Sequence, residues 1–420
     1  MTRLFGMLLI SALAIAPAHA LAQTTVIHAG HLIAEPGHGV ATDQSVVIED
    51  GRIVSIRSGF VPGDVVIDLR DSWVMPGLID MHTHITGVLN LAEPAAPQIA
   101  HAYMAPPART VLSMLPTSRT LLMNGFTTIR SLGDQSLTQY ALRDAINAGW
   151  APGPRMFVAE AQIAVAGGDL DASQMDVRGE LEPFVTNRGN CSGVVDCVRT
   201  VRTEIQRGAD FIKLRQSGMA ASDPEISMVE TPEEIHAVID TAHQLHRRVA
   251  AHVTGTPAYL HLVIEAGVDT IEHGPLDDES IALMRRHGTA YTPTLLAAKM
   301  IDYRYEEASE FTGRAYRAGV PIIFGTDLGI FGAERSHEEF GLLAQAGLPP
   351  EQVLRAATVN AAEALGQGSA LGKIAPGFTA DIVAMRIDPL VHIEQLGAPD
   401  RMTFVMKDGE VFKEMPAEPE

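Results

Sequence analysis

The residues that most restrict this chain are a handful of polar side chains that end short apolar runs. Along the middle of the sequence the pattern reads strand, then helix, again and again. Eight runs qualify as parallel strands: Leu78–His84, Thr127–Leu132, Arg155–Ala159, Phe211–Leu214, Val249–Val253, Thr270–His273, Ala290–Thr294 and Ile322–Asp327. Helical stretches such as Pro232–His246 and Ser280–His287 fall between them, and Asp196 is placed to N-cap a helix running to Gln206, with Gly208 ending it. Strand–helix alternation repeated eight times predicts an α/β fold with a parallel sheet closed into a (β/α)8 barrel.

The two ends have a different texture. Val26-Ile27, Ser45–Ile48 and Arg52–Ile56 read as strands, with Glu49-Asp50-Gly51 as a turn between two of them. Asp381–Met385, Thr403–Met406 and Glu410–Phe412 repeat that texture at the far end. The expectation is one small β-sandwich domain built from both termini (residues 23–72 and 367–420), with a barrel of residues 73–366 inserted between. Ahead of it, Arg3, the apolar stretch Leu4–Ala16 and the small-residue sites Ala18-His19-Ala20 and Ala20-Leu21-Ala22 read as a signal peptide over residues 1–22. The chain is therefore expected to be exported, to the periplasm or the medium, with no membrane span once that segment is removed. A net charge of −20 argues against a nucleic-acid partner, since little would neutralise phosphates. Cys191 and Cys197 lie six residues apart, and the sequence leaves open whether they pair.

Chemistry concentrates where the strands end, the end at which barrel active sites are built. His82 and His84 stand two apart on one strand, so period two turns both imidazoles to one face. Lys213 interrupts an apolar strand, with Glu272 or Asp327 as possible carboxylate partners, while His252, His273 and Asp327 each end one. Imidazole and carboxylate together suit Zn²⁺ and related ions. An ammonium cannot ligate a metal, but a buried lysine held neutral can take up carbon dioxide and become an anionic carbamate able to bridge two cations. Histidines on helical or loop stretches, such as His236, His243, His246, His261 and His287, read as surface.

Met75-Pro76-Gly77-Leu78-Ile79-Asp80-Met81-His82-Thr83-His84 resembles the first-strand signature of the amidohydrolase superfamily. Phe211-Ile212-Lys213, Ala251-His252, Ile271-Glu272-His273-Gly274, Gly325-Thr326-Asp327 and Ala375–Asp381 resemble its later signatures, and the likeness is greatest to the imidazolonepropionase-like and prolidase-like branch, which includes exported dipeptidases and ochratoxin-cleaving enzymes. The resemblance implies two divalent cations per chain, Zn²⁺ first among the candidates. His82, His84 and Asp327 would hold the more buried ion, His252 and His273 the other, and an N6-carboxylated Lys213 would bridge them. It further implies a hydroxide between the ions that attacks an amide carbonyl of a dipeptide or N-acyl amino acid. Asp327 would take its proton and pass it to the leaving amine, and the protein would be a homo-oligomer. Three features depart from the pattern around the substrate mouth: Asp169 follows Gly167-Gly168, Arg215-Gln216-Ser217-Gly218 follows the lysine strand, and the stretch from Thr294 to Gly325 is short. His337, Arg215 and Asp169 are the candidate substrate contacts. A cyclic-amide hydrolase or a deaminase is the alternative; Lys213 counts against a deaminase, and an intact ligand set counts against a non-catalytic binding protein.

Overall fold

The computed structural model describes residues 23–87, 105–133, 137–168, 187–216 and 229–416. The expected signal peptide, Asp169 and the pair Ser217-Gly218 lie outside the described residues.

The chain opens with four strands, β1 (Thr25–Leu32), β2 (Ala41–Glu49), β3 (Arg52–Ser58) and β4 (Val65–Pro76). Nine more follow through the middle: β5 (Leu78–Thr83), β6 (Phe126–Leu132), β7 (Arg155–Ala159), β8 (Gln162–Val165), β9 (Asn190–Cys191), β10 (Ile212–Gln216), β11 (Val249–Val253), β12 (Thr270–Glu272) and β13 (Ala290–Thr292). The chain returns with β14 (Ile382–Met385), β15 (Met402–Lys407) and β16 (Glu410–Glu414).

Both termini do meet in one sheet, in the order β16-β15-β14-β4-β1-β2-β3. The alternation of Val26–Leu32, Val46–Ile48 and Ile382–Met385 supplies an apolar cluster of its own, with Ile27, Ile48, Ile53, Ile67, Ile382 and Phe404 among its members. Strand β4, missed in the sequence, is 12 residues long because it serves two masters. It pairs in parallel with β1 from Val65 to Val74, with a register shift on the way, and its last four residues also pair antiparallel with β14 on the other edge. It then runs through Gly77 directly into β5. A side chain at Gly77 would put its Cβ 2.2 Å from Thr127 Oγ1, so only glycine lets the strands pass there. Arg155 of β7 straps the two regions together, donating to Asp381 Oδ2 at 2.5 Å and to Thr128 Oγ1 at 3.0 Å.

The middle is α/β with parallel pairing throughout. One sheet runs β5-β6-β7 and another β13-β12-β11-β10-β8-β9. Residues 321–328 join them. Ile323 N donates to Tyr291 O at 2.9 Å on the β13 side, and on the β5 side Met81 N donates to Phe324 O at 2.9 Å and His84 N to Leu328 O at 2.5 Å. The run Ile322–Asp327 thus has neighbours on both sides but only single bridges, at Ile322 and Leu328, in place of a regular strand. Strand β7 continues through Glu160 and Ala161 into β8, a second piece that the sequence did not show as a strand.

Helices return the chain between strands, and their ends carry the expected chemistry. Thr231 and Glu234 form a reciprocal capping box before Pro232–Gln244. Asp277 caps Asp278–His287, and Gly288, with φ +73°, ends it. Asp196 is not an N-cap: its helix begins two residues earlier, as Val194–Arg207, with Gly193 at the cap and Asp196 in the first turn. Asp196 Oδ2 instead accepts from Ser192 N at 3.1 Å. Gly208, at φ +114°, does end that helix. Cys191 and Cys197 are joined in a disulfide that ties β9 to the same helix. His236, His243, His246 and His287 are exposed; His261 is half-buried instead, its Nε2 paired to Asp277 Oδ1 at 2.9 Å.

Candidate metal centre

Period two along β5 places Asp80, His82 and His84 on one side. Asp80 is fully buried and works as a tie, accepting from His82 N at 3.0 Å, Thr326 N at 3.2 Å and Thr326 Oγ1 at 2.7 Å. It locks β5 to the incoming segment that carries Asp327. That segment approaches closely because it is glycine-rich: a Cβ at Gly325 would lie 2.8 Å from His82 Cβ, and one at Gly329 would lie 2.9 Å from His84 Cβ. The result is a tight group in which ligand atoms of His82, His84 and Asp327 all lie within 4.8 Å of one another. Asp327 Oδ1 is 3.3 Å from His82 Nε2 and 3.3 Å from His84 Nε2. Backbone strain sits at the same place. Asp327 and His273 hold φ of +59° and +64°, a left-handed region that costs a non-glycine residue about 1 kcal/mol or more.

Hydrogen bonds behind the rings fix which nitrogen faces inward. His82 Nδ1 lies 2.8 Å from Glu272 Oε2, and His84 Nδ1 lies 3.3 Å from the Gly133 carbonyl; both partners only accept, so both Nδ1 atoms donate. His273 Nδ1 is 2.6 Å from Thr294 Oγ1, whose own proton goes to Pro293 O, so this ring donates too. Each ring is left with its Nε2 lone pair turned to the cluster. Two such lone pairs then face a carboxylate oxygen at 3.3 Å, and His82 Nε2 is a buried atom with no hydrogen-bond partner. Acceptors aimed at one another repel unless a cation sits among them, so the donor set fits a divalent metal ion.

Protonation states agree. Burial pushes His82 down to about 3 and His273 to about 4, and holds His252 well below the ordinary imidazole range. Burial alone would raise the Asp327 carboxyl, and only positive charge at the surrounding His82, His84 and His273 positions holds it well below the usual range, a charge that neutral rings leave to a cation. Glu272 is likewise pulled well below despite its burial, chiefly by the charge of Arg130.

The other sequence candidates fall into two groups. His273 lies 4.8 Å from His82 and 4.7 Å from His252, ring centre to ring centre, which brings His252 to the same cluster. Lys213 is 1% exposed, its Nζ has no hydrogen-bond partner, and burial lowers its amine to about 7. Neither Glu272 nor Asp327 has closed on it as a hydrogen-bonded carboxylate partner. Arg215 stands two residues on, half-buried and in register with His252, and its charge is felt at His252 and His273. His337 is not brought to the cluster. Its Nδ1 lies 2.9 Å from Glu334 O, and its Cβ packs beside Gly397 near the Asn124 carbonyl, which precedes β6. The cluster is at the other end of the strands.

Sequence reading passed over Arg130, 3% exposed on β6, and gave Glu272 no place behind His82. A charged residue inside the fully buried strand Phe126–Leu132 was the available signal.

The sequence profile of the amidohydrolase family matches residues 73–412. Ochratoxinase from Aspergillus niger is 27% identical, over 93% of this chain and 87% of its own length. Imidazolonepropionase from Thermoplasma volcanium is 23% identical, over 83% and 85%. Among solved structures, a Xaa-Pro dipeptidase with methionine in its active site superposes with a TM-score of 0.83 at 30% identity, covering 93% of this chain and all of that one.

Proposed function

The chain belongs to the amidohydrolase family, and from that premise we propose that it is a metal-dependent hydrolase cleaving the amide bond of a small dipeptide or N-acyl amino acid, ochratoxin-like amides included. The observation that carries this reading is the convergence of three Nε2 lone pairs and one ionised carboxylate, Asp327, at the ends of adjacent strands. The names of its relatives, an ochratoxinase and a Xaa-Pro dipeptidase, support the substrate class.

The scaffold in this reading is a closed (β/α)8 barrel of residues 73–366. Its support is the circuit of neighbours: β5 to β6 to β7, through the chain into β8, on to β10, β11, β12 and β13, and back to β5 through residues 321–328. The terminal sheet folds into a sandwich over residues 23–72 and 367–420, supported by an apolar cluster whose members come from strands at both chain ends.

His82, His84 and Asp327 would hold one divalent cation and His252 and His273 a second, Zn²⁺ being the ion that suits this mixture. Bound cations would polarise a carbonyl and lower the pKa of water. Lys213, lowered to about 7 by burial, holds a substantial neutral fraction at ordinary pH. Its Nζ could add to the carbon of carbon dioxide and lose a proton, giving an anionic carbamate whose oxygens would serve as further ligand atoms. Asp327 Oδ2 takes the proton of the attacking water and returns it to the leaving nitrogen, which its position at a strand end and its ionised state allow. Arg215, on the same face of β10 as Lys213, would receive a substrate carboxylate.

Export is part of the proposal: residues 1–22 are removed, and the Cys191–Cys197 disulfide suits an oxidising compartment. The mature N-terminus, read by sequencing, should be Gln23. The decisive experiment pairs metal analysis with turnover of Xaa-Pro, Xaa-Lys and N-acyl amino acid libraries. About two ions per chain and hydrolysis of at least one amide class are expected. A fully loaded protein that cleaves no linear amide but deaminates or opens ring substrates would overturn the reading in favour of the alternative chemistry.

A further inference from the structure

Beneath the cluster, one buried side chain crosses from one parallel sheet to the other. Arg130 leaves β6, 3% exposed, and spends its guanidinium on three acceptors. Nε donates to Met81 O at 2.6 Å, Nη1 to Thr270 Oγ1 at 3.0 Å, and Nη2 to Glu272 Oε1 at 2.5 Å. Thr270 closes the triangle by donating to the same Glu272 oxygen at 2.5 Å. The Arg130 charge also sits over the Phe211 ring, 5.5 Å from its centre. Glu272 itself is fully buried and passes its other oxygen to His82 Nδ1 at 2.8 Å.

A buried arginine–glutamate pair is expensive: desolvation offsets most or all of the Coulomb gain, and apolar residues often serve stability as well. Its geometry here points to a use other than stability. Glu272 has two oxygens, and the one that meets His82 is aimed by what holds the other. Arg130 and Thr270 together clamp Oε1, so Oε2 has one direction left. Arg130 also grips Met81 O, the carbonyl just before His82, so backbone and ring of His82 are held from one guanidinium.

We propose that Arg130 is a positioning residue for the metal centre: through Glu272 and the Met81 carbonyl it sets the direction of the His82 Nε2 lone pair, and so the affinity of the site for a divalent cation. This rests on the reading of His82, His84 and Asp327 as metal ligands. Arg130 would touch neither ion nor substrate. Losing such a partner behind a ligand typically costs 10–100-fold in metal affinity.

The test is Zn²⁺ affinity measured by competition with a chromophoric chelator, alongside the thermal midpoint of each metal-free protein. Arg130→Gln and Glu272→Gln should each weaken Zn²⁺ binding about 10–100-fold. The double variant should be little weaker than either alone, because both act through one chain of contacts. Arg130→Lys keeps the charge but loses the fork, and should recover only part of the loss. Thr270→Val, the mildest change, should lose several-fold and serves if the others fail to fold. A purely structural Arg130 would lower the thermal midpoint and leave the affinity of the folded protein unchanged, and that result overturns the proposal. So does additivity in the double variant, or Thr270→Val binding as the parent does. If the parent protein itself binds no Zn²⁺, the functional reading fails instead, and the two failures are told apart by that control.

Discussion

Replacing Gly325 with alanine tests how closely the segment carrying Asp327 must approach its neighbours. The new Cβ would lie 2.4 Å from Thr292 Cγ2, 2.8 Å from His82 Cβ and 3.1 Å from His82 N. Ordinary carbon–carbon contact is about 3.5–4.0 Å, so two contacts are short by roughly 0.7 Å or more. Thr292 belongs to β13 and His82 to β5, so the methyl would be wedged between both neighbours at once. Neither can easily withdraw: both are fully buried, and His82 N is tied to Asp80 Oδ1 at 3.0 Å. Overpacking of a dense interior costs about 1–3 kcal/mol, and backbone among the obstacles puts this site at about 3 kcal/mol. Because His82 and Asp327 flank the wedge, Zn²⁺ retention should fall as well, by about tenfold or more. Urea midpoints and chelator competition measure the two effects. Gly87→Ala is the control, since among the described residues nothing lies within 4 Å of its added Cβ and its backbone is unstrained; it should stay within about 0.5 kcal/mol of the parent. A Gly325→Ala protein matching Gly87→Ala in both midpoint and Zn²⁺ retention would refute the reasoning.

Three further outcomes are expected. Asp327→Asn keeps the shape but cannot take and return a proton, so kcat at matched metal occupancy should drop at least about a hundredfold; near-normal kcat would place the proton on another group. Lys213→Ala should lose most activity and regain part of it with short carboxylic acids, whereas Lys213→Arg, which cannot form a carbamate, should be inactive; unchanged activity in the arginine variant would remove the carbamate from the mechanism. Glu339, fully buried while accepting from Leu295 N and Leu296 N, is pushed up to about 8 by its burial. A carboxyl raised from 4.5 in the unfolded chain lends stability fully present below that value and lost as pH climbs through about 8. The metal-stripped protein should therefore lose stability between pH 5 and pH 8 more steeply than Glu339→Gln, as urea midpoints across that range would record; parallel slopes would deny Glu339 the role.

What the sequence determined by itself was whatever depends on near neighbours. Apolar runs and turn residues marked β5, β7 and β11 almost to the residue, because strand period and glycine punctuation are local properties. His82 and His84 were paired on one face for the same reason: two residues apart on a strand, they have no choice. The meeting of both chain ends in one sheet was legible from matching texture. Strand β4 was missed because what extends it is pairing, with β1 along one edge and β14 along the other, and the β14 partner lies at the far end of the chain. Ile322–Asp327 reads as a strand, yet Gly325 and the left-handed Asp327 leave it bonded to both neighbours without regular pairing. Family resemblance made His337 a pocket candidate, while its sequence setting equally fitted a surface place at a helix N-terminus; the fold chose the latter, with His337 at the N-cap of Glu338–Gln345. The pairing of Arg130 with Glu272 spans 142 residues, and the choice of Nδ1 as donor in His82, His84 and His273 depends on Glu272, Gly133 and Thr294. Residue type pointed to a metal-binding chemistry; only the approach of strands from the two sheets decided which atoms face each other, because a hydrogen bond is fixed by distance and direction, and neither is written in the spacing of residues so far apart.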